Sequence, residues 1–173
     1  CKGWLRSRAG FFSAAEHYTT GLANFLLNNG RWQENGCDQT MSHLLYWHAV
    51  EEIEHRTVMF DVFNGLGGNQ RLKNAIMMVF APTFATGLMG SLMEINQLNI
   101  NATAGEKYVW QAGFWRAWRK GAAASNVPSV GWLIEHSLSY FATDYNPANE
   151  GSTEQALTFL AELSQVSTVG AKA

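Results

Sequence analysis

Apolar residues recur with the 3.6-residue period of an amphipathic α-helix in six successive segments of the chain. These segments cover residues 8–28, 38–63, 71–99, 106–125, 129–143 and 152–164. Turn-forming Gly, Asn and Pro residues separate them, as expected where helices end. No segment has the alternating pattern of a strand. We therefore predict an all-α fold, a single helical domain over residues 1–173 built as a bundle of about five to six helices.

The second predicted helix carries an unusual concentration of histidine and glutamate. Because successive helical residues are about 100° apart, His48, Glu51, Glu52 and His55 fall within one arc of the helix. The same arc contains Met41, Leu44, Leu45, Met59 and Val62. We therefore predict that this arc is the core face. An ionised carboxylate buried without a partner costs several kcal/mol or more, so this face predicts a divalent cation.

The spacing of these ligands favours two ions over one. Residues three apart on a helix can reach the same ion, so Glu52 and His55 form one pair. His48 lies about 10 Å along the helix axis from His55, which suits two ions bridged by Glu52 or Glu51. Glu16, inward-facing on the first predicted helix, can complete the nearer ion. His17 lies 100° from Glu16 and is interpreted as a supporting or surface residue.

Composition and charge limit the classes of partner. The 173 residues carry a net charge of -2 and a pI near 6.2, so there is no electrostatic footprint for nucleic acid. The two cysteines, Cys1 and Cys37, have no paired or metal-type spacing and predict a reducing, cytoplasmic location. No signal peptide is visible, and the start at Cys1 predicts that an N-terminal piece is missing.

The third predicted helix is apolar enough to raise the question of a membrane. Residues 75–93 include no charged residue, and this length would allow a bilayer span. Pro82, hydroxyl side chains, two glycines and Glu94 at the end of the stretch make its hydropathy moderate. We therefore favour a buried bundle helix over a membrane-associated one.

Three motifs of the first half carry a family resemblance. Glu16-His-Tyr-Thr19, Trp47-His-x-x-Glu-Glu-x-Glu-His55 and Phe60-Asp61 resemble the family named predicted metal-dependent hydrolases, over about residues 8–75. This bacterial group is similar to the ferritin-like superfamily, so the resemblance implies a ferritin-like bundle. It implies metal ligation by Glu16, His48, Glu52 and His55, with Glu51 as a further candidate ligand.

The second half departs from the pattern that this resemblance implies. Family members carry Pro-Gly-Phe-His-Pro-Trp near the C-terminus, whereas this chain has Asp144-Tyr-Asn-Pro-Ala148, so Asn146 matches the family histidine. A regular ferritin-like site repeats Glu-x-x-His in both halves, and this second half has none. Glu135 is the predicted substitute ligand. His136 and Glu94 are alternatives, and otherwise such residues form ordinary ion pairs with Arg116 or Arg119.

Three functions are compatible with these residues. In a hydrolase, two divalent ions (Fe, Mn or Zn) activate water against a small-molecule substrate, and Glu51, the predicted catalytic residue, or Glu54 transfers protons. In a non-haem di-iron oxidase, the same ligands hold irons that activate oxygen near Tyr18, Tyr46 or Trp47. The third possibility is a non-catalytic metal-binding or membrane-associated helical protein. The resemblance places hydrolysis first.

Overall fold

The computed structural model describes residues 2–29, 32 and 36–170, with side chains described up to residue 161. Within these ranges the chain is helical and has no strand. The α-helices are α1 (Lys2–Asn29), α2 (Gln39–His55), α3 (Val58–Gly65), α4 (Gln70–Leu98), α5 (Ala112–Ala123), α6 (Val130–Ser139) and α7 (Thr153–Gly170). A 3₁₀ turn covers Pro147–Asn149. The prediction of an all-α bundle is confirmed.

The central helix is α1, which packs against α2, α3, α4 and α6, while α7 packs against α2. One core cluster joins α1, α2 and α7 around Ala23, Val50 and Ile53. A second cluster joins α1 and α4 to the end of α6 around Tyr18, Met77 and Tyr140. This arrangement makes one side of α1 face α2 and the other side face α6.

The single second helix predicted over residues 38–63 is wrong, because the chain divides it at Arg56 and Thr57. A Glu16 carboxylate oxygen accepts a hydrogen bond from the Met59 amide at 2.9 Å. It therefore satisfies one of the amides left unpaired at the start of α3. Arg56 donates to the Thr153 hydroxyl at 2.8 Å across the bundle. Both contacts join residues far apart in the sequence, so local periodicity could not reveal the break.

The predicted core face of α2 is also wrong. The buried residues of α2 are Ser42, Tyr46, Ala49, Val50 and Ile53. The predicted face leaves its apolar members at the surface, with Leu44 54% exposed. Small residues at the interface, such as Ala49, let α2 approach α1 closely, and this close packing selects the buried face. Fewer carboxylates are therefore removed from water than the pattern of α2 suggested.

Helix α4 lies on the outside of the bundle, and the prediction that it is buried is wrong. Its buried residues are Lys73, Met77 and Phe80, all in its first half. Lys73 directs its ammonium to the Ala142 carbonyl, 3.1 Å away, and over the Tyr145 ring. By length and composition α4 could cross a membrane, and 11% of its most apolar 18-residue window is buried. The core helix of a soluble protein can meet the same criteria of length and composition.

Helices α5 and α6 are shorter than predicted, whereas α7 extends to Gly170, beyond the predicted end at residue 164. Helix α5 begins at Ala112 and not near Glu106, because the Glu106 carboxylate accepts from the Thr103 amide and stabilises a turn. Helix α6 ends at Ser139, before the predicted residue 143. Cys37 is an exposed free thiol, and Cys1 lies outside the described residues.

Candidate metal centre

Two imidazoles meet where α1 packs against α6. His17 on α1 is 1% exposed, and its ring stacks on the ring of His136 with centroids 3.9 Å apart and planes 10° apart. His17 Nε2 lies 2.8 Å from the His136 carbonyl oxygen, and His136 Nε2 lies 2.9 Å from the His17 carbonyl oxygen. A carbonyl accepts only, so each Nε2 carries a proton and donates. In the neutral ring, Nδ1 is then left with the lone pair.

Gly21 makes room for this pair of rings. A methyl group built on Gly21 would overlap the His136 imidazole at Nε2 and Cε1, and would lie 2.7 Å from Cδ2. Trp132, one helical turn before His136 on α6, also stacks on the ring with centroids 4.9 Å apart. The position of His136 is therefore defined by a glycine on α1 and by an aromatic ring on its own helix.

A carboxylate and a phenol approach the two rings from the segment after α6. Glu150 Oε1 and the Tyr145 hydroxyl each lie 3.0 Å from His17 Nδ1. Glu150 Oε2 is buried and has no hydrogen-bond partner, which is unusual for a buried carboxylate oxygen. The turn before Glu150 is stabilised by Asn146, whose side chain accepts from the Ala148 amide at 3.0 Å. Asn146 thus shapes the segment that presents Glu150.

The three side chains form a group with metal-ligand geometry. One ligand atom from each of His17, His136 and Glu150 can be chosen so that all three lie within 4.8 Å of one another. Among the residues whose side chains are described, His17, His136 and Glu150 form the one group of three or more histidine, cysteine, aspartate or glutamate residues that satisfies this distance. Two nitrogens and one carboxylate oxygen are a ligand set found in catalytic zinc sites.

Burial controls the protonation of this centre. It lowers the pKa of His136, and the neighbouring His17 lowers it further, so His136 is neutral at pH 7. Burial raises the pKa of Tyr140 to about 12, and burial together with the Glu150 carboxylate raises the pKa of Tyr145. Both phenols therefore keep their protons and can donate hydrogen bonds.

Most of the residues predicted from the sequence lie away from this group, where α1 packs against α2 and α3. Glu16 is close enough to Glu52, His55 and Asp61 for their charges to act on it, although burial is the main reason its pKa is raised. Its carboxylate already accepts from the α3 amide described above. Glu16, Glu52 and His55 belong to no group of three ligand atoms within 4.8 Å in the described part of the chain.

The remaining predicted ligands are nearer the surface. His48 is exposed, with Nε2 3.5 Å from Glu52 Oε1 and Nδ1 3.9 Å from Glu51 Oε2. Glu52 also accepts from the Thr19 hydroxyl at 2.6 Å. His55 and Glu135 are exposed, and Glu135 neighbours His136 without joining its group. Metal ligation by Glu16, His48, Glu51, Glu52, His55 and Glu135 stays a prediction.

Of the two interpretations of His17, the surface one is wrong because the residue is buried, and Glu150 was not predicted. His17 adjoins Glu16 in a recognised motif, but its burial depends on α6, which follows more than 100 residues later. His136 was an alternative to Glu135. The signal for Glu150 was the segment 144–148, which corresponds to the C-terminal motif of the family without its histidine and lies just before Glu150.

Comparison with known proteins gives one family. The family model described as predicted metal-dependent hydrolase matches residues 3–151. This match includes His17, His136 and Glu150 as well as the motifs of the first half. No curated protein and no solved structure matches the chain.

Proposed function

The chain belongs to the predicted metal-dependent hydrolase family, and we propose from this premise that His17, His136 and Glu150 hold its divalent cation. The observation that carries the proposal is the convergence of two imidazoles and a carboxylate from three separate segments of the chain. Three protein ligands leave a coordination position for water, as catalytic sites require. The substrate under this proposal is a small molecule with a hydrolysable bond.

The residues present fit such a cation. His17 Nδ1 and Glu150 Oε1 are 3.0 Å apart, close to the roughly 3.3 Å between two ligand atoms at ~2.0–2.1 Å from a tetrahedral ion. Metal-binding histidines usually donate their second ring N–H to a carbonyl or carboxylate, and both rings here do so through Nε2. A cation would also satisfy Glu150 Oε2, which has no hydrogen-bond partner.

Each side chain then has a defined part in the chemistry. A divalent metal bound here would lower the pKa of a bound water and polarise a carbonyl or phosphoryl oxygen. His17 and His136 would bind it through ring nitrogens, and the reciprocal carbonyl contacts set the tautomer of each ring. The Tyr145 hydroxyl, beside His17 Nδ1, can donate a hydrogen bond to an oxygen on the substrate. The surrounding aromatic rings limit the amount of water around the ligands.

Metal content measured on the purified protein and on three variants tests the site. We expect Glu150→Gln and His136→Gln to weaken binding of Zn²⁺ or Mn²⁺ by at least about 100-fold, since even outer contacts of a metal site contribute 10–100-fold. The control Glu154→Gln removes an exposed carboxylate nearby and should bind as the unaltered protein does. Circular dichroism confirms that each variant is folded. Undiminished metal binding by folded Glu150→Gln would refute this ligand set.

A fourth variant, His55→Ala, separates this site from the one predicted on α2. Loss of metal in His55→Ala, with full retention in Glu150→Gln, would move the centre to Glu16, Glu52 and His55. Loss of one of two ions in each variant would support both sites.

The reaction type needs its own assay. We expect chelator-sensitive hydrolysis of an activated ester or phosphodiester that is restored by Zn²⁺ or Mn²⁺ and proceeds without oxygen. Oxygen consumption after Fe²⁺ addition, with no hydrolysis under any metal, would overturn hydrolysis in favour of the oxidase.

A further inference from the structure

A second site lies on the side of α1 that faces α2. It is a pocket of about 320 Å³, at the lower end of the ~300–1,000 Å³ range of small-molecule sites. Its lining residues come from α1, α2, Trp32 and the segment before α6; they are Thr19, Leu22, Ala23, Phe25, Leu26, Trp32, Leu45, His48, Ala49, Glu52, Asn126, Val127 and Pro128. Thr19 and His17 are two residues apart on α1, so they point about 200° apart. The pocket and the metal centre are therefore separate.

The walls of the pocket are apolar and held in place. Ala23, Leu26 and Ala49 also belong to the core cluster between α1 and α2, so this wall is part of the packed interior. Trp32 Nε1, between α1 and α2, donates to the Asn126 carbonyl at 2.8 Å and so connects to the segment before α6. A preformed apolar wall of this kind favours an aliphatic chain, which is removed from water on binding.

Polar groups gather at one end of the pocket. The Thr19 hydroxyl donates to Glu52 Oε2 at 2.6 Å, so this oxygen has a partner within the protein. Glu52 Oε1 has His48 Nε2 at 3.5 Å, which is longer than a good hydrogen bond. Oε1 therefore has capacity to accept from a ligand. The lining residues include no lysine or arginine, so Glu52 carries the full charge here when its neighbour His48 is neutral.

We propose that this pocket binds a straight-chain aliphatic primary amine, with its chain along the apolar wall and its ammonium group at Glu52. An ammonium group has three donors and no acceptor, which complements a carboxylate that only accepts. An aliphatic carboxylate of the same length would place two like charges together at Glu52. The pocket therefore discriminates between head groups by charge while the chain supplies affinity common to both.

Titration calorimetry with n-octylamine, 1-octanol and octanoate tests the proposal, with the fluorescence of the lining tryptophan as a second signal. We expect octylamine to bind more tightly than octanol, and octanoate to bind least. Glu52→Gln should weaken octylamine binding at least tenfold and leave octanol binding unchanged, because a hydrogen bond to a charged group is lost. Glutamine is isosteric and can still accept from Thr19. The control Glu54→Gln changes an exposed carboxylate on the same helix and should have no effect.

A second pair of variants tests the place of binding. Leu45→Trp fills the pocket and should abolish binding of both octylamine and octanol, whereas Leu44→Trp, outside the pocket lining, should not. Octanoate binding as tightly as octylamine would overturn the proposal. Equal binding by Leu45→Trp and the unaltered protein would overturn it too. The metal content of Glu52→Gln and Glu150→Gln decides the metal site separately.

Discussion

Replacing Gly21 by alanine tests the packing that holds the His136 ring against α1. In an ordinary helix this change is favourable by about 0.5–1 kcal/mol, because glycine loses more backbone entropy than alanine. Here the added methyl group overlaps the imidazole, so the ring must move away from α1. Movement breaks the two contacts between His17 and His136 that run to each other's carbonyl oxygens.

The expected magnitude follows from these terms. Inserting a methyl group into a packed interior costs about 1–3 kcal/mol, and each broken hydrogen bond costs about 0.5–1.5 kcal/mol. After the gain in helix propensity is subtracted, Gly21→Ala should lower the free energy of unfolding by about 1–5.5 kcal/mol. At this chain length, that corresponds to a melting temperature lower by roughly 2–20 °C. Displacement of His136 should also weaken metal binding strongly.

Thermal unfolding followed by circular dichroism, together with calorimetric titration of Zn²⁺, measures both effects. Gly87→Ala is the matched control, since Gly87 is also inside a helix and an added methyl group meets nothing within 4 Å. The control should be more stable by about 0.5–1 kcal/mol and bind metal as before. If Gly21→Ala is stabilised to the same extent and keeps its metal affinity, then His136 does not pack on Gly21 and the geometry of the centre is wrong.

Three further predictions concern the fold. Ile53→Ala should destabilise the protein by about 2–5 kcal/mol in urea unfolding, because Ile53 is 1% exposed. Leu44→Ala, on the predicted but exposed face, should change stability by less than ~0.5 kcal/mol. The opposite ranking would contradict the packing of α2. Asp38→Ala should cost about 0.5–2 kcal/mol, because the Asp38 side chain caps α2; an unchanged urea midpoint would show that the cap is not formed. Burial lowers the pKa of Lys73 more than Asp144 raises it. Protonation of Lys73 therefore opposes folding until the pH exceeds the pKa of this lysine in the unfolded chain. Stability should therefore rise between the lowered folded pKa and about 10.5, and Lys73→Met should remove this rise; a steeper rise in the variant would contradict the sign.

Several features of the protein could be predicted from local pattern alone. The 3.6-residue period identified the helices, since it depends on neighbours within a few residues, and α4 agrees with its predicted bounds to within one residue at each end. The motifs containing Glu16 and Trp47 to His55 led to the family, which the match over residues 3–151 confirms. The prediction of a divalent metal followed from the kind of residues present, and the description of the family agrees with it.

The tertiary structure decided which of these residues meet. Close packing at Ala49 against α1 buries a face of α2 other than the predicted one, and this leaves His48 exposed. Glu16 became the cap of α3, which divided the predicted helix in a way that no local spacing shows. His17, His136 and Glu150 come together only because α6 and the turn after it fold back onto α1. Periodicity reports the direction of a side chain around its own helix, whereas a metal centre depends on distances between helices, which are set by packing of the whole chain.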